Sequence, residues 1–164
     1  MTFRLESKAL NKLKTKAKEE RVSLNTLVNQ IITGYAEWDL TAISAGWMVV
    51  PRPVMKKVFG NLSEDQVRNI GKETFAEIKD IVLFMTNKND LGGFFSVLRL
   101  RAKKSGFQIK ELENDAETTF IIQHDLGMNW SVFSKTFYEN WLHSIGKNVE
   151  FELTDNTLVI NVKK

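Results

Sequence analysis

The stretch Thr2-Phe3-Arg4-Leu5-Glu6-Ser7-Lys8-Ala9-Leu10-Asn11-Lys12-Leu13 changes its apolar period halfway along. Phe3 and Leu5 alternate with Thr2, Arg4 and Glu6, which is the period of a half-buried strand over 2–6. Beyond it, Leu10, Leu13 and Ala17 recur at helical spacing with lysines on the remaining surface, and Ser7 is the expected N-cap of a helix ending near Glu20. Arg21 and Val22 make a short connection. Ser23 is a second expected N-cap, preceding Leu24, Leu27, Val28, Ile31, Ile32 and Tyr35, again at helical spacing. The order is strand, helix, helix.

Such a unit cannot close on itself. One five-residue strand has no partner, and two short helices enclose too little core. A second copy answers both needs: two strands paired antiparallel form a ribbon, Phe3 and Leu5 cover a four-helix core, and Thr2, Arg4 and Glu6 point outward. That ribbon is narrow enough to enter the DNA major groove. The charge distribution points to the same class of partner. Residues 1–30 hold seven basic and three acidic side chains, a net of +4, while the whole chain is +3 and the remainder therefore −1. A basic segment joined to a near-neutral remainder suits a polyanion-binding module; the plainer reading is a solvated helix face.

These residues resemble the ribbon-helix-helix DNA-binding regulators of the Arc and MetJ type. The resemblance rests on Thr2-Phe3-Arg4-Leu5, the lysine-rich helix with Leu10 and Leu13, its Ala17-Lys18-Glu19-Glu20 end, and the Val22-Ser23-Leu24-Asn25 start of the second helix. It covers about the first quarter of the chain. It implies base contacts by Thr2, Arg4 and Glu6, and phosphate contacts by Ser23, Leu24 and Asn25, supported by Lys8 and Lys12 on the first helix. A glycine often separates the two helices in that family, where this chain has Arg21. Glu6 stands where a cation or amide is usual, so it either accepts from a cytosine amino group or turns toward a lysine.

The remainder reads as a separate α+β domain, with expected domains 1–45 and 46–164. The second helix runs through Trp38 toward Ile43, and Gly46 with Pro51-Arg52-Pro53 breaks it. A helix starting at Asn61 or Ser63 runs through Val67, Ile70, Phe75, Ile78, Val82 and Met85, followed by another over roughly 91–104. Two strands follow, Phe107–Leu112 and Thr118–Gln123, joined by a turn at Asn114-Asp115. A helix over 129–145 comes next, then a hairpin turning at Asp155-Asn156.

Chemistry-bearing patterns are few. With no cysteine, the chain excludes disulfides, thiolate-bound metals and thiol nucleophiles. His124 and His143 are the only histidines and bring no third ligand at a metal-binding spacing. Gly92-Gly93 lacks the rest of a phosphate loop, and no nucleophile-elbow sequence occurs. Trp130, Phe133, Phe137 and Trp141 form a helical stripe, which is either core or, with Phe94, Phe95 and Phe120, the wall of an apolar ligand pocket. The apolar runs Ile43–Val50 and Ile81–Met85 are too short to span a bilayer, and the N-terminus lacks a signal-peptide run.

The expectation is a cytoplasmic homodimeric transcription regulator, a repressor rather than an activator, that reads pseudo-palindromic double-stranded DNA and needs no cofactor, metal or membrane. Its second domain would sense a small-molecule effector or extend oligomerisation beyond the dimer. The alternatives are a nucleoid-type or antitoxin DNA-binding protein and, behind these, an enzyme with a DNA-docking segment.

Overall fold

The computed structural model describes residues 4–86 and 88–163, with the side chains at 82 and 84–86 left out. The chain divides between Trp47 and Met48 into two compact units, against the 45/46 boundary expected from the breaking residues. In the first, α1 (Ser7–Glu19) and α2 (Leu24–Gly34) form a helical hairpin. The helical path continues as a π-helical turn, Tyr35–Asp39, and a last helical turn, α3 (Leu40–Ala42). Its small core consists of Ala17, Leu27, Trp38 and Ala42, with the Trp47 ring 5.1 Å from that of Trp38.

Two expectations for this unit change. The strand over 2–6 is not shown: Thr2 and Phe3 lie outside the described residues, and Arg4–Glu6 join no ladder. Glu6 keeps extended backbone angles (φ −60°, ψ 139°), but no strand among the described residues pairs with it. Ser7 is not a cap but the first helical residue. Glu6 holds the N-cap position without a side-chain bond, and its carbonyl accepts from the Leu10 N–H at 2.9 Å.

The second unit contains α4 (Arg52–Gly60), α5 (Glu64–Thr86), α6 (Leu91–Lys104), β1 (Gln108–Glu113), β2 (Glu117–Gln123), α7 (Met128–Ser144), β3 (Val149–Leu153) and β4 (Thr157–Lys163). The four strands form one antiparallel sheet in the order β1-β2-β4-β3. The expected α+β class and the strand-strand-helix-hairpin order are both present. Local chemistry explains the boundaries. Ser63 and Gln66 form a capping box, the Ser63 N–H donating to Gln66 Oε1 at 2.8 Å and the Gln66 N–H to Ser63 Oγ at 3.3 Å. Asn114 Oδ1 accepts from the N–H groups of Ala116 and Glu117, both at 2.9 Å, which turns β1 into β2.

The Pro51-Arg52-Pro53 stretch, read as a break, also starts a helix. A proline in the first turn loses no hydrogen bond and arrives with helical φ. Gly92-Gly93 is not an anion cradle. Both residues lie in the first turn of α6, whose N-terminus is occupied by Asp90, with Oδ1 accepting from the Gly93 N–H at 2.8 Å.

One face of the sheet, built on Phe120, Ile122, Leu158, Ile160 and Val162, packs against α6 and α7. The first half of α7 joins Phe59 of α4, Val67 of α5 and Leu126 through Trp130, Val132 and Phe133. The second half carries Phe137, Tyr138, Trp141 and Leu142 into the core with Phe94 and Leu98. The aromatic stripe is therefore core. Phe94 meets Trp141 edge to face at 5.2 Å, and Phe59 meets Trp130 in the same way at 4.8 Å. The cavity between Phe107, His124, Trp130 and Tyr138 measures about 10 Å³, room for one water molecule and too small for a ligand.

His124 is buried where β2 ends. Its Nδ1 accepts from the Leu126 N–H at 3.0 Å, so the ring proton sits on Nε2 and donates to Ser131 Oγ at 2.8 Å; Ser131 Oγ in turn donates to the Thr154 carbonyl at 2.6 Å. That network requires a neutral imidazole. Burial pushes the His124 pKa down to about 4, against a smaller upward pull from Asp125. His143 lies exposed twelve residues beyond Ser131 on α7, roughly 18 Å along the axis at 1.5 Å per residue, so the two histidines do not converge. Among the described residues, no group of three His, Cys, Asp or Glu side chains could hold a metal ion.

Because the folded pKa lies below the unfolded value of about 6.5, the unfolded chain binds the extra proton between the two values. Stability is therefore complete above pH 6.5 and falls as the pH drops toward 4. The expected loss attributable to His124 is about 3 kcal/mol over that window. It should appear in urea unfolding of the full chain as a steeper pH dependence than in His124→Gln, whereas parallel curves would contradict it.

Candidate nucleic-acid interface

The first unit is lysine-rich on the outside of α1. Lys8, Lys12 and Lys16 stand one turn apart, all exposed. Lys16 is partly committed, with its Nζ 3.3 Å from Glu20 and 3.5 Å from Glu19; the hydrogen bond to Glu20, with the charge of both carboxylates, holds its pKa above the usual lysine value. Lys8 and Lys12 make no ion pair among the described residues.

The connection between α1 and α2 folds tightly. The Val22 N–H donates to the Ala17 carbonyl at 3.0 Å and the Arg21 N–H to that of Lys18 at 3.2 Å, the double closure of a Schellman motif. The same closure ends three other helical segments, at Gly46, Gly106 and Gly146, each with positive φ. Arg21 occupies the equivalent position with φ 56°, so the chain makes its interhelical turn in the left-handed conformation with a non-glycine residue.

That turn presents the start of α2. Ser23 is its N-cap, as expected: its Oγ accepts from the Thr26 N–H at 3.0 Å and lies 2.7 Å from Thr26 Oγ1. The Ser23 Oγ thus accepts within the helix, and the N–H groups of Leu24 and Asn25 have no acceptor among the described residues. Beside them lies an open depression of about 350 Å³ lined by Lys14, Thr15, Ala17, Lys18, Val22 and Leu24. The structure therefore brings Leu24 together with Lys14 and Lys18, two lysines that sequence reasoning passed over in favour of Lys8 and Lys12. Their one-turn spacing was visible. Their meeting with α2 follows only once the Arg21 turn folds the two helices together.

Arg4 and Glu6 are exposed at the entry to α1, and Thr2 lies outside the described residues. Lys8 and Lys12 lie on α1 outside the residues that line the depression. A large apolar surface is also open on this unit. Leu5, Ile31, Ile32, Tyr35 and Leu40 are each 46 to 58% exposed, with Ile31 and Ile32 on α2 and Tyr35 on the π-helical turn that continues it. No helix among the described residues is long and apolar enough to cross a membrane.

Arg21→Gly relieves a left-handed conformation that costs a non-glycine residue about 1–2 kcal/mol, offset by glycine's extra unfolded-state freedom of about 0.5–1 kcal/mol. The expected result is unchanged or slightly greater protection of the α1 and α2 amides from hydrogen exchange in the full chain. Arg21→Val should lower that protection by about 1 kcal/mol or more, since a β-branched residue tolerates this region least. Equal protection in both variants would remove the strained-turn account.

Compared with known proteins, the chain matches no protein-family model and no curated protein.

Proposed function

We propose that the chain is a homodimeric, sequence-specific DNA-binding regulator whose first unit reads duplex DNA. The observation that carries this reading is the combination of two surfaces on one 47-residue unit. A basic helix meets the free N–H groups of α2, and an apolar helix face that a single chain leaves uncovered lies on the same hairpin. The first suits a phosphate backbone, because amide hydrogens and the positive helix end attract an anion that lysines also neutralise. The second suits another copy of the same hairpin. Ile31, Ile32 and Tyr35 would be buried by it, and the strand expected over residues 2–6 would gain a partner.

In this reading Arg4 reads base edges from the paired strands, with Thr2 and Glu6 beside it. Leu24 and Asn25 hold phosphate through their backbone N–H groups, and Lys8 and Lys12 add charge along the backbone. Ser23 fixes the helix start through its Oγ and stands beside Leu24 and Asn25 at the phosphate. Repression by occlusion is the expected sign of regulation.

Two measurements on the full chain test this. Ile31→Asp changes a half-exposed side chain, so a self-sufficient monomer would tolerate it. In a dimer it buries an unpaired charge and should abolish both the dimer mass in sedimentation and DNA binding. A monomeric wild type, or a variant that stays a DNA-binding dimer, would contradict the reading.

Arg4→Ala should weaken binding to a duplex selected by the wild-type protein by about 1–3 kcal/mol and leave random-sequence binding nearly unchanged. Lys12→Ala should weaken both alike. Equal losses for Arg4→Ala on the two duplexes would remove its base-reading role.

A further inference from the structure

The near-zero net charge of the second unit conceals a separation of charge. Segments 52–57 and 99–104 carry Arg52, Lys56, Lys57, Arg99, Arg101, Lys103 and Lys104 and no carboxylate. The strand pairs show the opposite balance: 108–123 and 149–163 hold seven carboxylates against Lys110 and Lys163. A count over the whole domain averages these away.

The fold brings the two basic segments together. Arg52, at the start of α4, donates from Nη2 to the Gly106 carbonyl at 2.7 Å, and its guanidinium lies 5.7 Å from the centre of the Phe107 ring. This fastens the first turn of α4 to the C-terminal end of α6, where Lys103 and Lys104 stand exposed. Lys56 follows one turn after Arg52, with Lys57 beside it, and both are exposed.

Some cations are already engaged. Arg99 donates from Nε to Glu111 at 2.8 Å, and Arg101 lies over the rings of Phe137 and Tyr138. Lys56, Lys57 and Lys103 make no ion pair among the described residues. Carboxylates stand at this end too, Asp125 at 3.9 Å from Arg52, Asp155 on the adjoining β3–β4 turn and Glu152 just before it on β3, and none of them pairs with Lys56, Lys57 or Lys103.

The acidic end lies across the sheet. β1 leaves this corner at Gln108 and reaches Glu113, Asp115 and Glu117 at its far hairpin, near Glu150 and Lys163. Six residues at about 3.3 Å each separate the two ends by roughly 20 Å, beyond the screening length of about 8–10 Å at moderate salt. A polyanion at the basic corner therefore meets local excess positive charge rather than the domain average.

We infer that this corner, built on Lys56, Lys57 and Lys103 around the Arg52 clamp, is a second contact surface for the phosphate backbone of duplex DNA. The inference rests on the DNA-binding reading of the first unit and adds to it. The second unit supplies sequence-independent affinity, and the first supplies the reading of bases.

The test uses full-length protein and random-sequence duplex DNA, with affinity measured against salt concentration. Three double variants are compared with wild type: Lys56→Gln/Lys103→Gln at the corner, Lys8→Gln/Lys12→Gln on α1, and Lys147→Gln/Lys163→Gln at the far end of the sheet as a charge-matched control. The lysines are surface residues, and an unchanged melting temperature verifies folding. Each phosphate that is no longer neutralised by a lysine reduces the magnitude of the slope of log affinity against log salt by about 0.9. In the corner variant that magnitude should fall by between about 2 and 4 for a dimer, with binding roughly ten-fold or more weaker, while the far-end control stays near wild type.

A weakening in the α1 variant with none in the corner variant overturns this inference and leaves the first unit's role standing. Equal weakening in the corner and far-end variants also overturns it, because net charge alone would then explain both. A corner variant that changes sedimentation mass at low salt without changing DNA affinity assigns the surface to the acidic end of another copy, which overturns it as well. Failure of the wild-type protein to bind duplex DNA at low salt removes both readings together.

Discussion

The second unit is organised by the burial of α7 on nearly every side. Trp130, Val132, Phe133, Phe137, Tyr138, Trp141 and Leu142 cannot all lie on one stripe, so the helix must be enclosed by the sheet and α6 as well as by α4 and α5. Each large side chain removed from water contributes about 1.5–3 kcal/mol, a substantial share of the 5–15 kcal/mol by which a domain is typically stable. Enclosure also limits polar groups. Those buried on α7 are small and satisfied, as with Thr136, whose Oγ1 donates to the Val132 carbonyl at 2.9 Å. Opposite it, Gly71 lets α5 approach closely, since a Cβ there would stand 3.0 Å from the Thr136 Cβ.

The first unit obeys the opposite condition. Its buried side chains are few: along α2 only Leu27 is buried, while Ile31 and Ile32 stand about half exposed. A hairpin of this size reaches ordinary burial only by sharing a core, which is why assembly and DNA contact are joined in the proposed function. The lysines that would repel one another on α1 are tolerable beside a polyanion and partly balanced by Glu19 and Glu20 at its last turn.

What the sequence reveals follows the range of the interactions concerned. The hairpin of β3 and β4 was legible because Val149, Phe151 and Leu153 and then Leu158, Ile160 and Val162 alternate around a polar turn, whereas the Asp90 cap that starts the helix at 91–104 went unread. α4 was missed because Pro53 serves equally to end one helix and to begin the next. The strand order β1-β2-β4-β3 was not legible, since it pairs β2 with a strand some forty residues away. At the candidate interface, Ser23 was found from its capping chemistry. The alliance of Leu24 with Lys14 and Lys18 depends on the left-handed Arg21 turn, which no local preference announces. Composition could not separate core from pocket for the aromatic stripe; only the filled interior does so.

The bonds around His124 join three places far apart in the chain: the end of β2, the first turns of α7 and the β3–β4 turn, where the Asn156 carbonyl also accepts from the His124 N–H at 2.9 Å. None of these segments can swing outward without stranding a polar atom belonging to another. Local openings of this region are therefore coupled, and the amides of His124 and Leu126 share one opening free energy instead of fraying separately as loop amides do. A loop–helix–turn junction of this kind behaves in solution as a single cooperative block, although no regular ladder runs through it.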